Sequence, residues 1–390
     1  MRLTTVLRTS RTPVSQFPWL APLKVAQLQR IARATGIQSS GTKSVLTARI
    51  EAALCQQLAV PSREKTGDDW SVLSIDMGVQ NLAFAHLRVP RASVMQTAAR
   101  APSRPVLTAW HRLKVSEIGE LDLEGTGVKA DGMGNAGLMS ESDAGSMLST
   151  RPVETEPTAG LKEAFSPALY AAMAYTLITS LLSAYKPTHV LIERQRFRSG
   201  GGSAVQEWTI RVGVLEGMLH AVLHTLRQES GSGLAGLQVQ GIEPKRVVRY
   251  WEDIDLTTGR EAEEGTKKGR VSAREVKKAK IDLVGRWLGA SLENNVSPDG
   301  VILADGEALS TAVDGKICLA ADKPALHDLA GAYLRKWRGE KTRKKQYAAT
   351  DSASAVTKLD DLADCLLQGV TWVEWQAMRE RLARQGLEAS

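Results

Sequence analysis

Apolar runs separated by Gly, Pro and polar turns divide the chain into short strands and long helices. Trp70 to Ile75 (WSVLSI) is a continuous apolar run of strand length. The turn Asp76-Met77-Gly78 ends it, and Asn81 to Val89 alternates as a second strand, so the pair predicts a hairpin. Val106 to Val115 predicts a third strand, His189 to Glu193 (HVLIE) a fourth and Leu237 to Ile242 a fifth. Apolar residues at helical spacing predict long helices over Ser166 to Tyr185 and Ala204 to Arg227. A short helix is read at Pro244 to Trp251, with others over Arg274 to Leu288 and Lys323 to Trp337. A last helix starts near Leu359 and runs, bent or broken, to Ala383. The order β-β-β-α-β-α-β-α gives an α/β class, a mixed five-stranded sheet flanked by helices.

Ahead of this core, Leu23 to about Leu58 reads as two helices. Leu28, Ile31 and Ala32 stripe the first, Gly36 ends it, and Val45, Leu46 and Ile50 share a face of the second. Three stretches, near 119–160, 252–272 and 294–320, are polar or lack apolar periodicity and are read as disordered inserts. The domain expectation is therefore 1–20 as a leader, 21–60 as a helical module and 70–386 as the α/β domain.

Composition narrows the function. The net charge is +7 with a pI near 9.3. No Asp or Glu precedes Glu51, whereas Lys and Arg recur throughout that stretch, and Lys341, Arg343, Lys344 and Lys345 form a second basic block. Fields of this sign attract polyanions, nucleic acid foremost. The odd, scattered Cys55, Cys318 and Cys365 make neither a zinc pattern nor a disulfide framework, which points to a reducing compartment. The opening MRLTTVLRTSRTPVSQF, rich in Arg, Ser and Thr and free of acids, has the composition of a mitochondrial transit segment. No run reads as the roughly 18 apolar residues that a membrane span requires.

Three acidic positions carry the candidate chemistry. Asp76 closes an apolar strand at a tight turn, and Glu193 closes another, followed at once by Arg194, Gln195, Arg196 and Arg198. In KLDDLADCLLQ, Leu362, Leu366 and Val370 mark a buried helix face. Asp361 and Asp364 lie three apart, Asp360 and Asp364 four apart, so either pair shares a side. Helix capping accounts for one or two of these. Asp364, a turn inside, is better explained by a cation. Together the set suits hard divalent ions such as Mg²⁺, with Mn²⁺ as substitute. Two such ions promote phosphodiester hydrolysis. His220 and His224 are four apart but lack a third ligand for zinc.

SVLSIDMGVQNLAFAHL, HVLIERQRFRSGG and KLDDLADCLLQG, in this order, closely resemble the fungal mitochondrial Holliday-junction resolvases, RuvC-like members of the RNase H-like superfamily. LKVAQLQRIARATGIQSSGTKSVLTARI resembles a SAP module, with Lys43 and Arg49 as its DNA-facing candidates. The resemblance implies an RNase H-like sheet and catalytic carboxylates at Asp76, Glu193 and Asp364, with Asp361 preferred over Asp360 as the fourth. It implies a homodimer in the mitochondrial matrix that nicks four-way DNA junctions symmetrically. Arg194, Gln195, Arg196 and Arg198 become junction contacts, with Lys341, Arg343, Lys344 and Lys345 gripping an arm. Three other readings compete: a ribonuclease acting on RNA–DNA hybrids, a SAP-anchored DNA-binding protein without catalysis, and an actin-like ATPase suggested by Ile75-Asp76-Met77-Gly78.

Overall fold

A computed structural model of the chain describes residues 16–59, 69–90, 104–115, 166–195, 207–229, 231, 233–258, 272–294, 315–340 and 358–389. The strands are β1 (Trp70–Asp76), β2 (Leu82–Val89), β3 (Val106–Leu113), β4 (His189–Glu193), β5 (Gln238–Ile242) and β6 (Cys318–Leu319). They form one six-stranded sheet in the order β5-β4-β1-β2-β3-β6. The β1-β2-β3 meander is antiparallel, while β4, β5 and β6 join in parallel. The helices are α1 (Val25–Ala34), α2 (Lys43–Ala59), α3 (Pro167–Tyr185), α4 (Glu207–Gln228), α5 (Pro244–Thr258), α6 (Ala273–Asn294), α7 (Pro324–Trp337) and α8 (Leu359–Gln385).

Period-2 alternation along the strands separates two cores. Leu73 and Ile75 of β1, with Val190 and Ile192 of β4, pack against α3 and α4. Val72 and Leu191 face the opposite layer, built from α5, α6, α7 and α8. Asp76 has the parity of Val72, and Glu193 that of Leu191. Both strand-end carboxylates therefore point to the α8 side. Because β1 and β4 pair in parallel with Ile75 opposite Ile192, Asp76 and Glu193 end neighbouring strands side by side.

The sixth strand corrects the five-stranded expectation. Cys318 and Leu319 fall in a stretch read as a disordered insert, yet they pair with Val106 and Leu107 at the sheet edge. Two residues are too few to show alternation, so no periodic signal announces them. The insert read at 252–272 is likewise helical through Thr258, as the end of α5. The last helix is not broken; α8 runs without interruption for 27 residues, roughly 40 Å along its path at the helical rise. The leader expected over 1–20 is shorter than that, because Pro18–Leu20 form a 3-10 turn whose Leu20, with Phe17, is buried in the core of α1 and α2. Residues 1–15, the insert near 119–160, Arg196, Arg198 and Lys341, Arg343, Lys344 and Lys345 lie outside the described residues. One described helix, α3, is long and apolar enough by length and composition to cross a membrane. Its Tyr170, Ala174, Leu177, Ile178, Leu181 and Leu182 are buried in the sheet core, which is the environment that selects this composition here.

The two amino-terminal helices close their own small core. Leu28, Ile31 and Ala32 of α1 meet Leu46, Ile50 and Leu54 of α2. Val45, expected on that face, is 39% exposed instead, because the i, i+4, i+8 stripe runs through Leu46. This unit rests on the carboxyl-terminal end of α8, where Leu382 joins its core. Gly36 adopts φ +66°, and a Cβ there would stand 2.2 Å from the ring of Trp375. Arg379 Nε donates to Thr35 O at 2.8 Å, and Arg246 Nη1 to Gly36 O at 3.2 Å.

His86 of β2 is 5% exposed, and its ring is held between Ser71 Oγ and Thr108 Oγ1 and stacked on Tyr185. Burial, with Arg88 nearby, lowers its pKa from 6.5 to about 4. The unfolded chain thus binds a proton that the fold refuses. Stability is full above pH 6.5 and is lost as pH falls toward 4, by about 3 kcal/mol at most from this group. His86→Asn is expected to flatten the acid limb of a denaturation-versus-pH curve across that window; an unchanged slope would contradict it.

Candidate active site

The site forms where α8 crosses the carboxyl ends of β1 and β4. Ser74 Oγ donates to Cys365 O at 2.8 Å. Gln368, 4% exposed, donates through Nε2 to Ser74 Oγ at 3.1 Å and Ile75 O at 3.2 Å, and reaches Leu191 O at 3.5 Å. One amide therefore ties the helix to both central strands. Gly369 permits this approach, since a Cβ would lie 2.9 Å from Leu87 Cδ1 and 3.2 Å from Ser74 Cβ. Trp110 Nε1 fixes the helix start through Leu362 O at 3.0 Å. With the middle of α8 pinned, its first two turns carry Asp360, Asp361 and Asp364 over the strand ends.

The four sequence-predicted carboxylates meet there. Asp76 is 9% exposed, and its pKa is raised well above the ordinary 3.8. Burial is the main cause, followed by Glu193, which shares a hydrogen bond with it, and then by Asp364 and Asp361. Burial likewise pushes Asp364 up to about 6 against the opposing pull of Lys280, with Glu193 and Asp360 adding repulsion. Asp361 is also raised, by burial, although Arg112 counters it. Asp360 behaves otherwise. Burial opposes its ionisation, but its bond to Lys277 prevails and its pKa is lowered. Asp361 lines the same cleft as Asp76, whereas Asp360 turns toward Lys277 at 2.6 Å.

Among the described residues, no three His, Cys, Asp or Glu side chains stand close enough to form a ready metal cage. The ion pairs explain why. Arg112 Nε holds Asp361 Oδ2 at 2.9 Å, and Lys280 Nζ holds Asp364 Oδ1 at 2.5 Å. Asp76 instead faces Glu193, whose charge opposes its ionisation. All-carboxylate oxygen donors of this kind fit Mg²⁺ or Mn²⁺.

Sequence reasoning missed the balancing cations. Lys277 and Lys280 sit three apart on α6 and so share a face, a signal that was visible. Which acids they would meet was not. Arg112, in a strand of unremarkable pattern, also bonds Asn81 Oδ1 and so clamps the β1-β2 turn beside Asp361. The proposed nucleic-acid contacts are dispersed. Arg194 is exposed at the strand end, 3.9 Å from Glu243 Oε1. Gln195 donates its backbone N–H to Glu216 Oε2 and lines the cleft. Lys43 is exposed at the start of α2, while Arg49 bonds Ser40 O at 2.6 Å and so closes the loop between α1 and α2.

Gln368→Leu is expected to destabilise the protein by ~1–3 kcal/mol in urea melts, because two or three buried acceptors lose their donor. A neutral result would deny Gln368 its place as the tie. Asp76→Asn is expected to do the reverse. Without metal, ionisation of a carboxyl whose folded pKa is raised subtracts stability as pH climbs past 3.8. The amide keeps a donor for Glu193 and removes a charge. In EDTA at pH 7.5 the melting midpoint should rise, by roughly 2–4 °C for each ~1 kcal/mol of relief; a fall would contradict the electrostatic reading.

This geometry matches what the comparisons find. The family described as mitochondrial resolvase Ydc2 / RNA splicing MRS1 matches residues 72–382. The chain is similar to cruciform cutting endonuclease 1, mitochondrial, of Schizosaccharomyces pombe, at 23% identity over 359 residues, 92% of this chain and 94% of the relative. The protein of the same name from Saccharomyces cerevisiae is 23% identical over 364 residues, 90% of this chain and 82% of its own length. A crystal structure of the yeast mitochondrial Holliday junction resolvase Ydc2 aligns at a TM-score of 0.48 and 20% identity, over 93% of this chain and 99% of that one. Because that match spans residues 72–382, well over half of the chain, the chain belongs to the family described as mitochondrial resolvase Ydc2 / RNA splicing MRS1.

Proposed function

We propose that this chain is a mitochondrial endonuclease that resolves four-way DNA junctions by divalent-metal-dependent hydrolysis. The observation that carries the reading is the electrostatic interaction of buried Asp76 with Glu193, Asp364 and Asp361 at the strand ends, at a cost that folding alone does not require. The family description spans a resolvase and an RNA splicing factor. A protein that only binds nucleic acid gains nothing from mutually repelling buried acids, so the catalytic branch is favoured.

Asp76, Glu193 and Asp364 are the proposed metal ligands, with Asp361 ahead of Asp360 as the fourth because it shares the Asp76 cleft. Bound Mg²⁺ or Mn²⁺ would activate the attacking water and neutralise charge on the leaving oxygen. The protein's own share is alignment. β1 and β4 fix two carboxylates side by side, and α8 brings the others against them. Lys280 and Arg112, which pair with Asp364 and Asp361, would stand beside a phosphate held there. Arg194 and Gln195 extend the site toward the strand backbone, as phosphate and junction contacts. The α1-α2 unit is proposed as a SAP-like module that adds affinity through Lys43. Cutting two opposed strands symmetrically calls for a homodimer whose two-fold axis meets that of the junction.

The test uses a synthetic four-way junction, its parent duplex and an RNA–DNA hybrid, each with Mg²⁺ or EDTA. The wild type is expected to nick the junction alone, and only with metal. Asp76→Asn, Glu193→Gln and Asp364→Asn are each expected to lower cutting at least ~100-fold, as loss of metal ligands does, while junction binding changes little. Equal cutting of duplex and junction would remove junction selectivity, and preference for the hybrid would favour a ribonuclease.

A further inference from the structure

Beside the carboxylates lies a cavity of about 360 Å³ that phosphodiester hydrolysis leaves unexplained. Its lining includes Asp76 and Asp361, the aromatic Tyr170 and Trp208, and Arg211 and Gln195. Trp208 is 50% exposed, an unusual state for the largest side chain beside a catalytic cleft. Its position on α4 explains the orientation. Trp208, Arg211 and Val212 fall at i, i+3 and i+4, one helical stripe, and all three line the cavity.

The chemistry selects the occupant. The acidic lining disfavours an anion such as a second phosphate. Arg211 pairs with Glu207 on its own helix and adds little net charge. What remains is a flat apolar face, an amide from Gln195 and a volume at the small end of the ~300–1,000 Å³ typical of ligand sites. A single unstacked nucleobase fits this description, and any strand whose phosphate sits over Asp76 carries one within a nucleotide's reach. Base–indole stacking also tolerates every base while favouring the strongest stackers.

We infer that the Trp208 cavity is a nucleobase site, which takes one base flanking the scissile phosphate out of the stack and thereby sets sequence preference at the cut. The inference rests on the junction-nuclease reading, because it places the base relative to the phosphate held at Asp76. Trp208 stacks on the base, and Tyr170 and Gln195 position it. Seating the base orients the phosphate over the carboxylates, so stacking and cutting are coupled.

The experiment uses the full chain and four-way junctions carrying 2-aminopurine at each position flanking the cut. In EDTA, one flanking position is expected to be quenched by the indole on binding, Trp208→Ala to abolish that quenching, and Trp208→Phe to restore most of it. In Mg²⁺, Trp208→Ala should slow cutting at preferred sequences roughly tenfold and level the ranking of sequences, with junction affinity changed far less. An unaltered fluorescence pattern and ranking in Trp208→Ala would overturn the inference. So would a drop in oligomeric size on gel filtration, which would make Trp208 a contact between copies, alongside the exposed Leu169, Tyr175 and Ile210. A wild type that cuts no junction sinks the nuclease reading instead; the base site then stands or falls on the quenching measurement.

Discussion

Where α8 crosses β1, Gly369 lies so close to Ser74 and Leu87 that no side chain would fit between them. Gln368 ties that crossing to Ser74, Ile75 and Leu191 at once. Everything about the site follows from this contact. It sets the height of the helix above the sheet, and so the distance from its first two turns to the ends of β1 and β4. Moved outward by a side chain's width, the helical aspartates would reach solvent and the mutual repulsion would vanish, together with any capacity to share an ion. The fold thus holds like charges together by packing, a strain that only a cation relieves fully. The same helix bears the α1-α2 unit on its far end, through Trp375, Arg379 and Leu382. One continuous helix therefore connects the acidic cluster to the amino-terminal helices.

The cations around the cluster give it a defined resting arrangement. Lys277, Lys280 and Arg112 each hold one helical aspartate, and they come from α6 and β3 rather than from α8 itself. Intrahelical pairs would have stayed with the acids whatever the sheet did. Pairs from separate elements instead record that the layers have closed.

Much of this was legible in the sequence, for reasons that differ by element. Asp76 and Glu193 stood out because each terminates an apolar strand, and period-2 alternation then assigns them a face without further information. Parallel pairing, which makes them neighbours, needed the topology. Asp364 was legible because an acid one turn inside an apolar helix conflicts with capping. The choice between Asp361 and Asp360 was not, since both spacings are helical; in the structure Asp361 lines the cleft with Asp76, and Asp360 pairs with Lys277. The edge strand at Cys318–Leu319 is too short for any period to register. Arg49 was assigned to DNA by motif position, whereas Ser40 O and Gln38 O already engage its guanidinium. Gln368 carried no sequence signal. A buried amide bridging two strands is a property of packing, visible only once the strands are in place.

The central claim is that carboxylates from β1, β4 and α8 share divalent ions. Anomalous diffraction from crystals soaked in Mn²⁺ tests it most directly, because it locates the ion without reference to activity. The account predicts density bounded by Asp76, Glu193 and Asp364, with Lys280 withdrawn from Asp364. Manganese absent from that cleft at saturating concentration, or bound elsewhere while the Lys280–Asp364 pair stays intact, would contradict it.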